Sequence, residues 1–289
     1  MKNSMINISY SFLYIATYLV SLLPMWILYK ISNVLYILLF YLVPYRKTIV
    51  VQNLSRSFPD KSYQEVECIM KSFYHLFCDN LVEILKNISI SPTKQANKIQ
   101  LVNFDIVKKQ IVLGKSVIVS MGHCGNWEIL NILPFILKVN SYAIYKPLNM
   151  KPINQLFLRL RSRFGMQLIP VKSVVRHFIS NKNNPSVYFF LADQCPKVVD
   201  RKYQFDFLHQ ATSVFSGIEK LARSTNSAVV YMHVIKMSRG IYRIECKNIS
   251  ANLEYTDKID ITHLYIQLLE RNIQEQPHGW LWTHKRWKR

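Results

Sequence analysis

His123 and Glu128 stand five residues apart in the run Gly122-His123-Cys124-Gly125-Asn126-Trp127-Glu128, and their side chains suit proton transfer. An imidazole titrates near neutrality and can take a proton from a hydroxyl, while a carboxylate on its other ring nitrogen fixes the tautomer and stabilises the imidazolium. Gly125 between them allows a tight turn that brings the two together. The plainer alternative is a histidine at a helix start, with Glu128 answering the positive end of the helix dipole. The spacing alone does not choose between them. Cys124 raises a second chemistry, a covalent thiol intermediate, but adjacent residues on an extended chain point to opposite sides and the thiol would lack its base. A small apolar filler is the favoured reading of that thiol.

The elements around this run give it a place. Ser116 to Ser120 is a short β-branched segment bounded by Gly114 and Gly122, the pattern of a buried strand, and Asn126 to Leu137 follows as a helix that Asn126 can cap. Further strands are expected at Ser141 to Tyr145, Ser186 to Leu191, Ala228 to Ile235 and Ile241 to Cys246. Helices are expected near Asn154 to Arg163, Val174 to Ser180, Ser213 to Ser224 and Thr262 to Gln276. A longer one covers Ser62 to Asn87, where Val66, Ile69, Met70, Phe73, Phe77, Leu81 and Ile84 recur at helical spacing. Strands alternating with helices predict an α/β sandwich.

The chain has 289 residues, half of them hydrophobic, with only 7 glycines and 11 prolines, so it folds around a sizeable core and is not disordered. Its 37 Lys and Arg against 17 Asp and Glu leave a net charge of +20, which calls for anionic partners: nucleic acid, a phospholipid surface or phosphorylated substrates. No groove-reading motif supports nucleic acid. Five cysteines, odd in number and without a C-x-x-C spacing, fit neither a disulfide framework nor a zinc site and agree with a reducing compartment.

Ile6 to Val43 is almost wholly apolar and holds one cation, Lys30. Ile8 to Tyr29 reaches the length of a membrane span, whereas Ile31 to Val43 is too short to cross and reads as an interfacial extension. A bundle-core helix is the alternative. Arg46, Lys47 and Arg56 follow the apolar run while only Lys2 precedes it, so the body is expected on the cytoplasmic side. The organisation is then an anchor over 1–43 and one domain over 44–289. Trp280, Trp282 and Trp287, among Lys285, Arg286, Lys288 and Arg289, read as a second membrane contact, as a tail that packs Trp280 and Trp282 into the core with its cations solvated, or as both.

Four blocks resemble the lipid A biosynthesis acyltransferase family. They are Pro44 to Asp60 (PYRKTIVVQNLSRSFPD); Gly122 to Glu128 (GHCGNWE); Tyr145 to Gly165 together with Phe189 to Pro196 (FFLADQCP); and Pro277 to Arg289 (PHGWLWTHKRWKR). The resemblance implies a mixed sheet flanked by helices, like the glycerolipid acyltransferase sandwich, behind an N-terminal membrane-anchoring helix. It implies transfer of a fatty acyl chain from acyl carrier protein, or acyl-CoA, to a hydroxyl of a phosphorylated glycolipid at the inner membrane, with no cofactor or metal. His123 would be the general base and Glu128 its partner. The family's important arginine falls on Arg161, near Arg163, and its acidic residue on Asp193, next to Gln194. A guanidinium there can hold a phosphate or a developing oxyanion, with Asp193 orienting it, although a solvated helix face is the commoner fate of such an arginine pair. Asn126 and Thr212 match family positions at the substrate, and Thr212 equally suits a helix cap. Lys146 stands where relatives carry arginine, which keeps phosphate binding but gives up the bidentate fork. Two other functions stay open: the same chemistry on another glycolipid or an amino-acid lipid, and a non-catalytic envelope lipid-binding protein.

Overall fold

A computed structural model describes residues 2–196, 203–250 and 260–287, with side chains from residue 8 onward. The chain opens with α1 (Lys2–Leu22) and α2 (Met25–Ile37), the latter running into a π-helical turn at Leu38–Leu42. Pro24 separates them, because a proline has no N–H for the helical ladder and pushes the residue before it out of the helical region. The expected single span from Ile8 to Tyr29 is therefore broken near its end. Among the described residues the one stretch long and apolar enough to cross a bilayer is Met25–Leu42.

Neither helix hangs free. Leu28, Ser32, Tyr36 and Phe40, each four residues on, are buried along one side of the second helical stretch. This side meets α4 (Tyr63–Lys86), where the Ser32 hydroxyl donates to Asp79 Oδ1 at 2.7 Å and the Tyr29 hydroxyl to Glu83 Oε1 at 3.1 Å. Arg239 and Lys236 complete the neutralisation of Asp79, at 2.6 and 3.1 Å. The first helix lays Tyr10, Leu13 and Tyr14 against Ile88, Leu156 and Leu160.

Between them α3 (Lys47–Ser57) inserts Val50 and Leu54 into the core. The long helix α4 starts where expected, because Ser62 and Glu65 form a reciprocal capping box. Its buried stripe differs from the expected one toward its end: Tyr74, Cys78 and Val82 are buried while Leu81 faces out. A short α5 (Pro92–Ala96) leads to β1 (Ile99–Val102) and α6 (Asp105–Val112). The sequence reading found none of these three.

Then come β2 (Val117–Met121), a 3-10 turn at Trp127–Ile132, α7 (Leu133–Leu137), β3 (Ser141–Tyr145), α8 (Lys151–Ser162), β4 (Gln167–Pro170), α9 (Val174–Ser180) and β5 (Val187–Leu191). A hairpin of β6 (Gln204–Phe207) and β7 (Gln210–Ser213) precedes α10 (Gly217–Thr225), and the chain closes with β8 (Ala228–Ser238), β9 (Ile241–Asn248) and α11 (Ile261–Glu275). Ser213 thus ends a strand, and the helix expected from that residue begins four residues later.

Seven strands form one mixed sheet in the order β1-β9-β8-β2-β5-β3-β4, parallel at every pairing except the β8–β9 hairpin. Because successive side chains point to opposite faces, Ile118, Tyr188 and Tyr231 enter one apolar layer while Val119, Phe189 and Val230 enter the other. The first layer is covered by α9, α10 and α11 and the second by α6 and α7. This is the expected α/β sandwich, with a mixed sheet.

The aromatic tail belongs to the first layer. Trp280 and Trp282 are buried, Trp282 completely, and their indole nitrogens donate to Asp193 and to the Pro277 carbonyl. Arg286 is buried too, donating to the Ser213 carbonyl. These three therefore do not rest on lipid, and Lys288 and Arg289 lie outside the described residues. Truncating a fully buried tryptophan costs about 3–5 kcal/mol. Trp282→Ala is expected to lose stability on that scale in denaturant unfolding of the detergent-solubilised protein, whereas a tail seated on the membrane would leave the detergent midpoint unmoved.

Candidate active site

Parallel strands β2 and β5 pair with Met121 opposite Leu191. Two residues beyond each strand end come His123 and Asp193, so the register alone sets the two side by side at the carboxyl edge of the sheet. That edge is where open α/β sheets bind ligands. His123 Nδ1 lies 2.6 Å from Asp193 Oδ1, and the His123 backbone N–H donates to Asp193 Oδ2 at 2.9 Å. Trp280 Nε1 adds a third donor to Oδ2 at 2.7 Å.

The Asp193 side chain is 2% exposed and that of His123 14%. Burial pushes the Asp193 carboxyl up, but the His123 charge and the donors around it outweigh burial and pull it down to about 2. With Nδ1 committed to Asp193, the other ring nitrogen, Nε2, takes no hydrogen bond among the described residues. Trp127 packs against the imidazole edge-on, ring centroids 4.9 Å apart, and limits its rotation.

Glu128 does not reach His123. The loop after Gly125 continues as a 3-10 turn, and the Glu128 carboxylate points instead to Arg161 near the end of α8. Arg161 Nε donates to Oε1 and Oε2 at 3.1 and 3.0 Å, and its Nη2 also donates to Oε1. Asn131 donates to Oε2 at 3.1 Å. Burial pushes the Glu128 carboxyl up, yet the Arg161 charge and hydrogen bonds more than offset it and hold it below the usual range. Arg161 is lowered by its own burial and raised, on balance, by Glu128. The sequence reading had the two acids exchanged: Asp193 holds the histidine and Glu128 holds the arginine. A spacing of five along the chain put Glu128 near His123, whereas pairing across strands delivers Asp193 from seventy residues away.

The other expected site residues divide. Asn126 caps no helix, and its amide donates to Glu83 Oε2 at 2.8 Å, on the α4 side of the loop. Arg163 reaches the C-cap of α4 and the turn after it, donating to the carbonyls of Asn87 and Ile90. Thr212 lies in β7, donates to the Gln210 carbonyl and accepts from Trp287 Nε1 at 2.7 Å, so it caps nothing. Lys146 and Gln194 are exposed, immediately after β3 and immediately after Asp193. Cys124 is buried, and burial raises its thiol well above the ordinary range, as befits packing rather than nucleophilic attack.

Sequence reasoning missed Trp280 as a donor to the acid, Asn131, and the α4 residues Asn80 and Glu83 that grip the loop. Asn80 donates to the Gly125 carbonyl at 2.9 Å, and Gly125 N donates to the Gly279 carbonyl at 2.8 Å. Gly125 takes a φ of +57°, and a Cβ there would sit 3.0 Å from Val234 Cγ1, so the turn requires glycine. At Gly122 a Cβ would fall 2.4 Å from Leu269 Cδ1. Among the described residues no cluster of His, Cys, Asp and Glu is arranged to hold a metal ion.

The depressed Asp193 carboxyl links to stability. Its ionised form is favoured by folding, so its contribution is fully present above the unfolded value near 4 and is lost as pH falls through about 2. A shift of this size corresponds to about 2 kcal/mol. Unfolding free energy of the wild type is expected to drop between pH 4 and 2 more steeply than that of Asp193→Asn; equal slopes in acid titration of the two would contradict it.

A comparison with curated proteins finds no match for this chain. The model of the bacterial lipid A biosynthesis acyltransferase family matches residues 2–289, from the first helix to the last residue. A buried acid and imidazole at the carboxyl edge of a mixed sheet, with a second acid locked to an arginine beside them, thus sit in a chain that belongs to the bacterial lipid A biosynthesis acyltransferases.

Proposed function

We propose that this acyltransferase moves a fatty acyl chain from a thioester, carried by acyl carrier protein, to a hydroxyl of a phosphorylated lipid A precursor, with His123 as general base. The observation that carries the reading is the 2.6 Å contact of His123 Nδ1 with Asp193, which leaves Nε2 as the nitrogen available to substrate. The acceptor hydroxyl gives its proton to Nε2 as its oxygen attacks the thioester carbonyl carbon. The tetrahedral adduct then collapses, the carbon–sulfur bond breaks, and the imidazolium returns the proton to the leaving thiolate. Asp193 stabilises the imidazolium and stays ionised throughout, in keeping with its low pKa.

In this reading Glu128 acts on charge placement rather than on the proton. Its fork fixes the Arg161 guanidinium, whose Nη1 takes no hydrogen bond among the described residues, and a fixed cation is the arrangement that stabilises a developing oxyanion or an acceptor phosphate without reorganising. The excess of basic residues favours an acidic carrier protein, a phosphorylated acceptor and an anionic bilayer alike.

Membrane placement rests on the first two helices. Ile8, Phe12, Ile15, Leu19 and Leu22 of α1, and Trp26, Val34 and Ile37 of α2, are apolar and exposed, so they would be covered by lipid at the inner membrane with the domain on the cytoplasmic side. The catalytic loop then works close to the surface that holds the acceptor.

Transfer of labelled acyl chains from acyl carrier protein to a lipid A precursor, in membranes or detergent, tests the reading. His123→Ala and Asp193→Asn are each expected to lower kcat by roughly 10²–10⁴-fold, the range for a positioned proton-transfer group. Glu128→Ala is expected to lose activity as well, because the Arg161 guanidinium is then no longer held in place. Full turnover in His123→Ala would remove the proposed base.

A further inference from the structure

Glu83 lies on α4, outside every motif that resembles the family, and it is buried with three donors converging on it. Tyr29 of α2 reaches Oε1 at 3.1 Å, while Asn126 Nδ2 and the Tyr242 hydroxyl, each at 2.8 Å, reach Oε2. Three donors and no acceptor suit a carboxylate, and they fix the orientation of the Asn126 amide, since a carboxylate only accepts and the nitrogen must face it. The amide oxygen of Asn126 is buried and takes no hydrogen bond among the described residues. An orphaned buried acceptor is costly, and one is kept where position matters more than stability.

Asn126 sits midway between the two charged pairs of the site. Three residues before it is His123, held by Asp193, and two residues after it is Glu128, held by Arg161. Trp127, which packs on the imidazole, is its immediate neighbour. Whatever fixes Asn126 therefore sets the distance and angle between the base and the guanidinium, and the only side chain that bonds Asn126, among the described residues, is Glu83.

We propose that Glu83 is a positioning residue for acyl transfer: through Asn126 it sets the loop that holds His123 and Glu128, and its second oxygen ties that loop to α2. Glu83 itself touches no reacting atom. The inference rests on the proposed role of His123.

A reciprocal exchange tests it. Asn126→Asp keeps the side-chain shape but sets two carboxylates against each other, and at alkaline pH, where the pair no longer shares a proton, the loop must move. Displacing reacting groups by about 1 Å costs on the order of 100-fold, so kcat of the folded Asn126→Asp enzyme is expected to fall by about that factor with KM for both substrates little changed. The double variant Asn126→Asp with Glu83→Gln restores the bond with its polarity reversed: the new amide on α4 donates to the new carboxylate on the loop. The Tyr242 hydroxyl then turns to accept, with Asn80 Oδ1 at 3.4 Å to take its proton. Recovery of kcat to within about tenfold of wild type is the expected result. A role confined to stability would instead lower the melting temperature and leave kcat per folded molecule alone.

The proposal is overturned if Asn126→Asp turns over at the wild-type rate, or if it is slow and the double variant is no faster. His123→Ala in the same assay separates the two readings. Retained activity there removes the base itself. An inactive His123→Ala beside a fully active Asn126→Asp leaves the base standing and removes Glu83 alone.

Discussion

One carboxylate organises the candidate site of this molecule. Asp193 accepts from a side-chain nitrogen, a backbone amide and an indole; the first two come from the loop after β2 and the third from the C-terminal tail. A buried charge of this kind is tolerated only when its lone pairs are filled. The register of β2 on β5 brings the histidine, and the return of the tail under the sheet brings Trp280. Were either misplaced, an ionised acid would remain in an apolar layer, so the same interaction that aims the imidazole also enforces the closure of the fold.

The second acid obeys the same rule with a different partner. Glu128 is buried and Arg161 nearly so, their side chains 7% and 23% exposed, and each neutralises the other through a two-pronged contact. Keeping the two acid pairs separate matters electrostatically. If both carboxylates faced one imidazole, the local field would favour the protonated ring and leave less of it free to accept a proton. Pairing one acid with a guanidinium leaves the histidine with a single carboxylate and holds a positive charge in a fixed place in the candidate site.

The sequence made much of the frame legible. The runs expected at Ser141 to Tyr145 and Ser186 to Leu191 are dense in β-branched and aromatic residues, and they are strands over Ser141–Tyr145 and Val187–Leu191. The long amphipathic helix begins at its capping box. What escaped detection was short or non-local. β1, β4, β6 and β7 have four residues each, too few for a period to register, and the β6–β7 turn runs through Leu208 and His209 at positive φ, where no glycine marks it. The break at Pro24 did have a signal, which the dominant apolar run concealed. The exchange of acids had none within a local window, because it depends on which strand lies beside β2, and strand order is a property of the whole sheet. The family resemblance pointed to Asp193 and Arg161 as important, but the pairing drawn with it set Glu128 on His123 and Asp193 on Arg161, the reverse of what the sheet delivers.

Helix α4 shows why a pattern of hydrophobic residues understates what an element does. Its apolar spacing reports a core helix, and Val66, Met70 and Phe73 are indeed buried. Its polar residues in the second half are buried as well, and they face two ways within little more than one turn. Asp79 and Glu83 accept from Ser32 and Tyr29 of α2, while Asn80 donates to the carbonyl of Gly125 and Glu83 accepts from the amide of Asn126. Hydropathy treats these three positions as interruptions of the stripe. Because buried polar groups must be paired, each interruption is in fact a specific attachment. Helix α2 and the loop at the sheet edge are thus fastened to the same short segment of the same helix, and a shift of α2 along α4 could not leave the loop where it is without breaking a buried bond. The geometry makes α2 part of the frame that holds the candidate site.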